Sequence, residues 1–187
     1  TPALSSAASD VYKRQDLKVH GDLFDMIGLP RTPYAKLNIH VGAAYGDKPF
    51  ALDNFCRNFE RLPENVRSRL TVENDDKPSL YATDELYAGV YERIGIPIVF
   101  DYHHHRLHPG GQSEQEALET ALSTWGDIKP VVHYAESRCI EHNNPKIKPQ
   151  AHSDYVIAEI DDDGHNFDVM IEAKHKELAL LRYRDIM

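Results

Sequence analysis

The chain alternates short apolar, β-branched runs with longer amphipathic runs, and this alternation constrains its fold more than any other feature. The short runs have the length and composition of β-strands, and most of the runs between them carry apolar residues at helical spacing. The five predicted strands are KLNIHV (36–41), RLTVEN (69–74), IPIVFDY (96–102), KPVVHY (129–134) and FDVMIEA (167–173). Strands that alternate with helices predict a parallel sheet covered on both faces.

A polar residue stands near the carboxyl end of each predicted strand. Ligands and chemistry concentrate at that edge in parallel α/β folds. A single such residue is more often the ordinary polar exit of a strand, but a run of five predicts a convergent metal site. Imidazoles mixed with carboxylates suit Mn, Zn or Fe better than Ca or a thiolate-bound metal. The five residues are His40, Glu73, Asp101, His133 and Glu172.

The segment FDYHHHRLHPGG (100–111) contains four of the eleven histidines, in mid-chain rather than at a terminus as a purification tag would be. His152 is a further candidate ligand of lower weight, as is His20, for which a packing or capping role on a predicted helix is at least as consistent. Three histidines are candidates for a supporting layer or a solvated loop: His103, His105 and His108. Three more are predicted to be surface residues: His142, His165 and His175.

Length, charge and cysteine content limit the class of protein. A chain of 187 residues predicts one domain, although a complete α/β barrel usually needs more. The net charge of −9 argues against a generally basic nucleic-acid-binding surface. Cys56 and Cys139 match no zinc spacing and indicate free thiols in a reducing compartment. With no apolar run of membrane-spanning length and no signal pattern, a cytoplasmic location is predicted.

Two segments differ in character. Residues 1–15 are small, polar and aperiodic, and we interpret them as a non-native or disordered leader. Residues 16–187 are interpreted as the C-terminal part of a single metal-dependent α/β barrel domain. They contain about five or six predicted strands, whereas a closed barrel needs eight.

Six motifs together resemble the ultraviolet-damage endonuclease family. They occur in the family's order and with near-family spacing, between about His20 and Leu181. Each motif is weakly specific by itself, but the ordered set is strongly specific. The motifs are NIHVGAAYGDK, LTVENDDK, PIVFDYHHHR, VVHYAESR, AHSDYV and DVMIEAKHKE.

The resemblance implies a TIM-type barrel, incomplete here because the first strands are missing. It also implies a cluster of divalent metal ions, manganese first with zinc or magnesium as alternatives. The activity implied is incision of damaged double-stranded DNA immediately 5′ to pyrimidine photoproducts, with no membrane and no obligatory protein partner. Glu73, Glu172 and His104 would be catalytic. The implied metal ligands are His40, Glu73, Asp101, His104, His133, His152 and Glu172.

Two departures from the family pattern have consequences. The family places a lysine two residues before His133, where it can be modified to bridge metals; here that position is Val131, and the nearest lysine is Lys129. The missing strands would bring a further ligand and the side chains that insert at the lesion. We therefore expect weak or absent lesion specificity and self-association through an open sheet edge.

Two alternatives stay open at this point. The same ligand types at strand ends also serve metal-dependent sugar isomerases and epimerases of the xylose-isomerase-like superfamily. The chain is also consistent with an inactive metal-binding fragment. If it binds DNA, five basic residues are candidates for backbone contacts, although each is more often a solvated side chain: Lys48, Lys77, Arg106, Lys146 and Lys148.

Overall fold

The structure is a computed structural model that describes residues 2–42, 44 and 46–186, with side chains from residue 14 onward. Within this part of the chain one sheet contains five strands, all parallel and arranged in sequence order. The strands are β1 (Leu37–Ile39), β2 (Leu70–Glu73), β3 (Ile98–Asp101), β4 (Val131–Tyr134) and β5 (Asp168–Ile171). The strand predictions are confirmed, each with shorter bounds than the apolar run suggested.

Helical segments connect the strands and cover the outer face of the sheet. Residues 83–94 form two short helices separated by a π-helical stretch, Tyr87–Tyr91, in which Gly89 lies against the helix over residues 48–59: a Cβ there would be 2.5 Å from Leu52 Cδ1. The α-helices are α1 (Pro2–Met26), α2 (Lys48–Phe59), α3 (Glu64–Arg67), α4 (Thr83–Leu86), α5 (Glu92–Ile94), α6 (Tyr102–Leu107), α7 (Glu114–Leu122), α8 (Arg138–Glu141) and α9 (Glu177–Ile186).

The two faces of the sheet differ in chemistry because side chains alternate along each strand. The outer face is apolar and forms the main core with the helices, including Leu70, Val72, Ile98, Phe100 and Val132. The inner face carries the residues between these, and they become more polar toward the carboxyl ends of the strands. The inner positions of the three central strands are Thr71, Glu73, Val99, Asp101, Val131 and His133.

The sheet curls, so that its two edge strands approach a common cavity. The cavity has a volume of about 510 Å³ and is lined by Lys36, at the start of β1, and by residues of β4 and β5 such as Val131 and Met170. A curled parallel sheet with helices outside is the architecture of an incomplete TIM-type barrel, and this fold prediction is confirmed.

A buried arginine attaches the end of α1 to the sheet. Arg69, just before β2, donates to the carbonyl oxygens of Leu29 (2.6 Å) and Pro30 (2.9 Å) and to Asp25 Oδ1 (2.8 Å). Ion pairing with Arg31, and then with Arg69, lowers the pKa of Asp25 to about 2. The charge of the buried guanidinium is therefore balanced, as a buried charge requires.

A non-native or disordered leader was predicted for residues 1–15. The side chains of residues 1–13 lie outside the described part of the chain, so this boundary stays a prediction. The backbone of α1 already begins at Pro2. Of the helices that the structure describes, none combines the length and apolar character needed to cross a membrane.

Candidate metal centre

The carboxyl ends of the five strands bring the predicted polar residues to one edge of the sheet. Glu73 and Asp101 are the last residues of β2 and β3, and His133 is the third residue of β4. His40 and Glu172 directly follow β1 and β5. In a parallel sheet all these positions lie at the same end, which is why residues about thirty positions apart in the chain become neighbours.

Glu73 lies in the middle of the cluster. Its Oε1 is 3.3 Å from His104 Nδ1, and its Oε2 is 3.4 Å from His133 Nδ1. Asn38, on β1, donates from Nδ2 to Oε2 at 2.5 Å. Because Glu73 is almost completely buried, these neighbours replace the water that would otherwise stabilise its charge.

Asp101 and His104 are held by the first turn of α6. Asp101 is the N-cap, and its Oδ1 accepts from the backbone nitrogen of His104 at 2.7 Å. The Nδ1 of His104 lies 2.9 Å from the carbonyl oxygen of Asn74. A carbonyl can only accept, so Nδ1 carries the proton, and Nε2 is the nitrogen available to a ligand.

The side chain of Asn74 fixes the end of β3. It is completely buried, its Oδ1 accepts from the backbone nitrogen of Asp101 at 2.8 Å, and its Nδ2 donates to the carbonyl oxygen of Asp101 at 3.0 Å. This pair of bonds continues the β2–β3 ladder beyond its last backbone pair, and it holds Asp101 in place.

His40 lies at the more open side of the cluster. Its side chain is 43% exposed, and its Nδ1 is 3.0 Å from Asp75 Oδ1, while its ring centroid is 5.5 Å from that of His104. The hydrogen bond to the buried Asp75 raises the pKa of His40. Asp75 was missed by the sequence analysis; its place in VENDDK, directly after the strand end, was the available signal.

Glu172 and His152 form the opposite side. Glu172 Oε1 is 3.3 Å from His133 Nδ1, and Glu172 Oε2 is 3.6 Å from His152 Nδ1. His152 reaches this position through an isolated antiparallel bridge to Ser137. The structure therefore brings all seven predicted ligands into one continuous series of neighbours, while their roles as ligands or catalytic residues stay predictions.

Burial and mutual contact change the protonation of the cluster. Burial opposes ionisation of Glu73, but close contacts with His104 and His133 lower its pKa. Burial raises the pKa of Asp101 to about 6. Although burial favours a neutral ring, contacts with Glu73 and Asp101 raise the pKa of His104 to about 9, and Glu73 likewise raises that of His133. Burial lowers the pKa of His152.

The donor set fits a divalent cation. Ligand atoms of Glu73, Asp101 and His133 lie within 4.8 Å of one another, as do those of His40, Glu73 and His104. Asp101 Oδ2 and His133 Nδ1 are buried and, among the described residues, have no hydrogen-bond partner of good geometry. Buried polar atoms without a partner are costly, and a bound cation would satisfy both. The two groups share Glu73, so it could bridge two ions.

Five of the histidines outside the cluster differ in environment. His20 is exposed on α1, bonded only locally to the carbonyl oxygen of Asp16 (2.9 Å), and does not reach the cluster. His103 packs against His152, with ring centroids 5.5 Å apart, and burial lowers its pKa to about 4. His105 and His108 are buried, not solvated. His142 is exposed, as predicted, and pairs with Asp154 (2.9 Å) and Glu141 (3.3 Å) beside Arg138.

The cluster has no bridging lysine at either of the two positions considered in the sequence, 131 and 129. Val131 is buried two residues before His133 and faces the same side of β4. Lys129 precedes the strand and pairs with Asp168 Oδ1 at 2.6 Å. At ~3.3 Å per residue, its backbone lies about 13 Å along the strand from that of His133.

Comparisons with known proteins identify the family of the chain. The model of the family described as "UV-endonuclease UvdE" matches residues 3–186. The chain belongs to this family. Two relatives named "UV DNA damage endonuclease" are similar to it: one from Bacillus cereus (strain G9842) is 37% identical over 180 residues, and one from Bacillus anthracis (strain A0248) is 35% identical.

Similarity to a solved UvdE-type structure extends to the fold. The structure "Crystal Structure of SacUVDE" superposes with a TM-score of 0.77 at 32% identity, covering 92% of this chain and 56% of that one. The match to the Bacillus cereus relative covers 91% of this chain, and the match to the Bacillus anthracis relative covers 90% of it. Each match covers 53% of the relative. The chain thus spans about half the length of the relatives that it matches.

Proposed function

We propose that this chain carries the metal-binding part of a DNA repair endonuclease that incises the phosphodiester 5′ to ultraviolet photoproducts, with manganese as its ion. The observation that carries the proposal is the cluster of histidines and carboxylates at the strand ends, located in the motifs that resemble the ultraviolet-damage endonuclease family. Membership of the UvdE family and the names of the relatives support the same activity.

Each side chain has a role that follows from its position. Glu73, shared by both three-residue groups, is suited to bridge ions, and Asp101 and His133 offer the buried atoms that lack partners. Bound divalent ions would lower the pKa of a water molecule and stabilise the attacking and leaving oxygens of the phosphodiester. His40 and Glu172, 43% and 33% exposed, border the side from which a phosphate can enter.

Two of the five basic residues that are candidates for contacts with the DNA backbone already have an ionic partner. Lys48 already pairs with Glu85 at 2.7 Å and Arg106 with Glu114 at 2.7 Å. Lys146 and Lys148 lie in the loop that leads to His152 and are the better candidates for phosphate contacts. With a net charge of −9, binding to DNA depends on these contacts and on the charge of the bound ions.

The deciding experiment is incision of an end-labelled duplex with one cyclobutane pyrimidine dimer, in the presence of Mn²⁺. Two proteins are compared: this chain, and a chimaera in which the N-terminal part of the Bacillus cereus relative precedes residues 3–186. An undamaged duplex and the complete relative are the controls. We expect the chimaera to cut immediately 5′ to the dimer and this chain to cut weakly and with little lesion preference.

The same chimaera with Glu73→Gln should lose incision while keeping its melting temperature in EDTA. A chimaera that binds Mn²⁺ but leaves the damaged strand intact contradicts the endonuclease proposal. Isomerisation of aldoses by that protein would then support the sugar-isomerase alternative.

A further inference from the structure

A pair of polar side chains lies beneath Glu73 on the inner face of the sheet. Asn38 on β1 and Thr71 on β2 are direct partners in the β1–β2 register. Each stands two residues before a member of the metal cluster, His40 and Glu73 respectively, and side chains two apart on a strand share a face. Asn38 and Thr71 therefore form the layer immediately below the cluster.

A directional series of hydrogen bonds runs through this layer to Glu73. Thr71 Oγ1 donates to Asn38 Oδ1 at 2.9 Å, and Asn38 Nδ2 donates to Glu73 Oε2 at 2.5 Å. The carboxylate of Glu73 can only accept, so the NH₂ end of the amide must face it, and the carbonyl end is then the acceptor for the Thr71 hydroxyl. A flipped amide would place its oxygen against the carboxylate.

Burial makes this orientation stable. Thr71 is completely buried and Glu73 nearly so, while Asn38 is half-buried, so water has limited access to either bond. A neutral amide donor stabilises the ionised carboxylate without adding a positive charge that would repel a cation. Outer hydrogen bonds of this kind set the orientation of metal-binding carboxylates in other proteins.

We propose that Thr71 and Asn38 are positioning residues that fix the rotation of the Glu73 carboxylate, so that Oε1 faces His104 and Oε2 faces His133. The inference rests on the proposed function, in which Glu73 binds metal. Thr71 acts on Glu73 only through Asn38. We therefore expect that removing the Thr71 hydroxyl weakens metal binding, although this hydroxyl does not itself bind the metal.

The test is the affinity of the folded chain for Mn²⁺, measured by the loss of the free Mn²⁺ signal in electron paramagnetic resonance. Thr71→Val keeps the side-chain shape and suits a buried strand, but it removes the donor. We expect its Mn²⁺ affinity to fall about 10-fold or more. Its melting temperature in EDTA should stay the same or rise. Thr71→Ser, which retains the hydroxyl, should bind within about threefold of the unmodified chain.

Thr124→Val is the matched control. Thr124 is also buried; its Oγ1 accepts from the backbone nitrogen of Ile98, at the start of β3 and therefore at the opposite end of the sheet. This variant should melt at a lower temperature yet bind Mn²⁺ like the unmodified chain. A purely structural role for Thr71 predicts the same pattern as for Thr124, and that result would overturn the inference.

Asn38→Leu is a second variant, tested in case Thr71→Val does not fold. Asn38 is only half-buried, so the substitution is compatible with the strand, and it should weaken Mn²⁺ binding to the same extent. If Asn38→Leu binds Mn²⁺ as tightly as the unmodified chain, the inference is overturned but the proposed function is not, because the unmodified chain still binds metal. Failure of the unmodified chain to bind Mn²⁺ overturns the metal dependence of the proposed function, and this inference with it.

Discussion

Glu73 shows how one residue can depend on neighbours from two other strands and a helix. Its carboxylate is buried, accepts a hydrogen bond from Asn38 on β1, and lies within 3.4 Å of nitrogens on His104 and His133. These positive or hydrogen-bonding neighbours keep it ionised despite burial. A buried, ionised carboxylate with histidine neighbours is suited to bind a cation.

Substituting Glu73 with Gln tests this role directly. Glutamine is nearly isosteric but neutral, and we expect Mn²⁺ affinity to fall by about 100-fold or more, since even outer-layer substitutions cost 10–100-fold. Isothermal titration calorimetry measures the change. Glu92→Gln is the control, because Glu92 is exposed on α5, which ends before β3 begins and so lies at the far end of the sheet. Equal losses in both variants would contradict the assignment.

The protonation of the cluster predicts that metal binding depends on pH. Without metal, contacts with carboxylates raise the pKa values of His40 and His133, and that of His104 to about 9. A raised pKa means that a larger fraction of these rings holds a proton at a given pH, and an incoming ion must displace that proton. Affinity should therefore rise with pH, by about tenfold per pH unit for each displaced proton.

This pH dependence is measured by titration with Mn²⁺ between pH 6.5 and pH 8.5 under anaerobic conditions. Repeating the calorimetry in buffers of different ionisation enthalpy counts the protons released. Zinc provides a parallel series with the same expected sign. An affinity independent of pH would mean that the histidines are not ligands.

At the scale of elements, the carboxyl end of β3 is paired with β4 through the backbone, but on its β2 side it is held by a side chain. Asn74 makes two hydrogen bonds to the backbone of Asp101, and its own carbonyl oxygen accepts from His104. One residue of the β2–α4 loop therefore positions two predicted ligands on the next strand–helix junction. This coupling is a consequence of strand order, since β2 and β3 are neighbours.

Asn74→Ala should destabilise that junction. It leaves the buried nitrogen and oxygen of Asp101 without partners, at a cost of about 1–3 kcal/mol for each unsatisfied group. Urea denaturation in EDTA measures the loss, with the exposed Asn166→Ala as the control, for which we expect no significant change. A loss below about 0.5 kcal/mol for Asn74→Ala would show that the ladder does not depend on this side chain.

At the scale of the whole molecule, the curled sheet has apolar side chains at an edge. Val169 and Met170 on β5 are 38% and 48% exposed, and β5 has no further strand beside it within the described residues. Leu178 and Leu181 on the adjacent α9 are also exposed. An edge strand with unpaired backbone groups and apolar neighbours favours pairing with another chain.

We therefore expect this chain to associate with itself in a concentration-dependent manner. Sedimentation velocity between about 1 and 100 μM should show an increasing fraction of dimers or larger species. Val169→Lys, which places a charge on the edge, should shift the chain toward the monomer. Lys substitution of the exposed Ile157, in the loop before β5, is a control for the added charge. A stable monomer over the whole range would show that the edge is protected.

The sequence by itself determined the parallel α/β architecture and the edge at which the polar residues gather. Both follow from local rules, since apolar periodicity sets the element type and strand direction sets which ends meet. The sequence also indicated the family through six ordered motifs. It did not show that His105 and His108 are buried, because burial depends on how α6 packs.

The tertiary structure alone decided which residues support the cluster. The place of Asp75 directly after a strand end was a signal, but Asn38, Thr71 and Asn74 carry no individual signal in the sequence, since polar residues in strands and loops are common. Their roles arise from cross-strand register and from hydrogen bonds between residues about thirty positions apart. Register and side-chain rotation are fixed only when the sheet curls and excludes water, because only then does each buried polar atom require one particular partner.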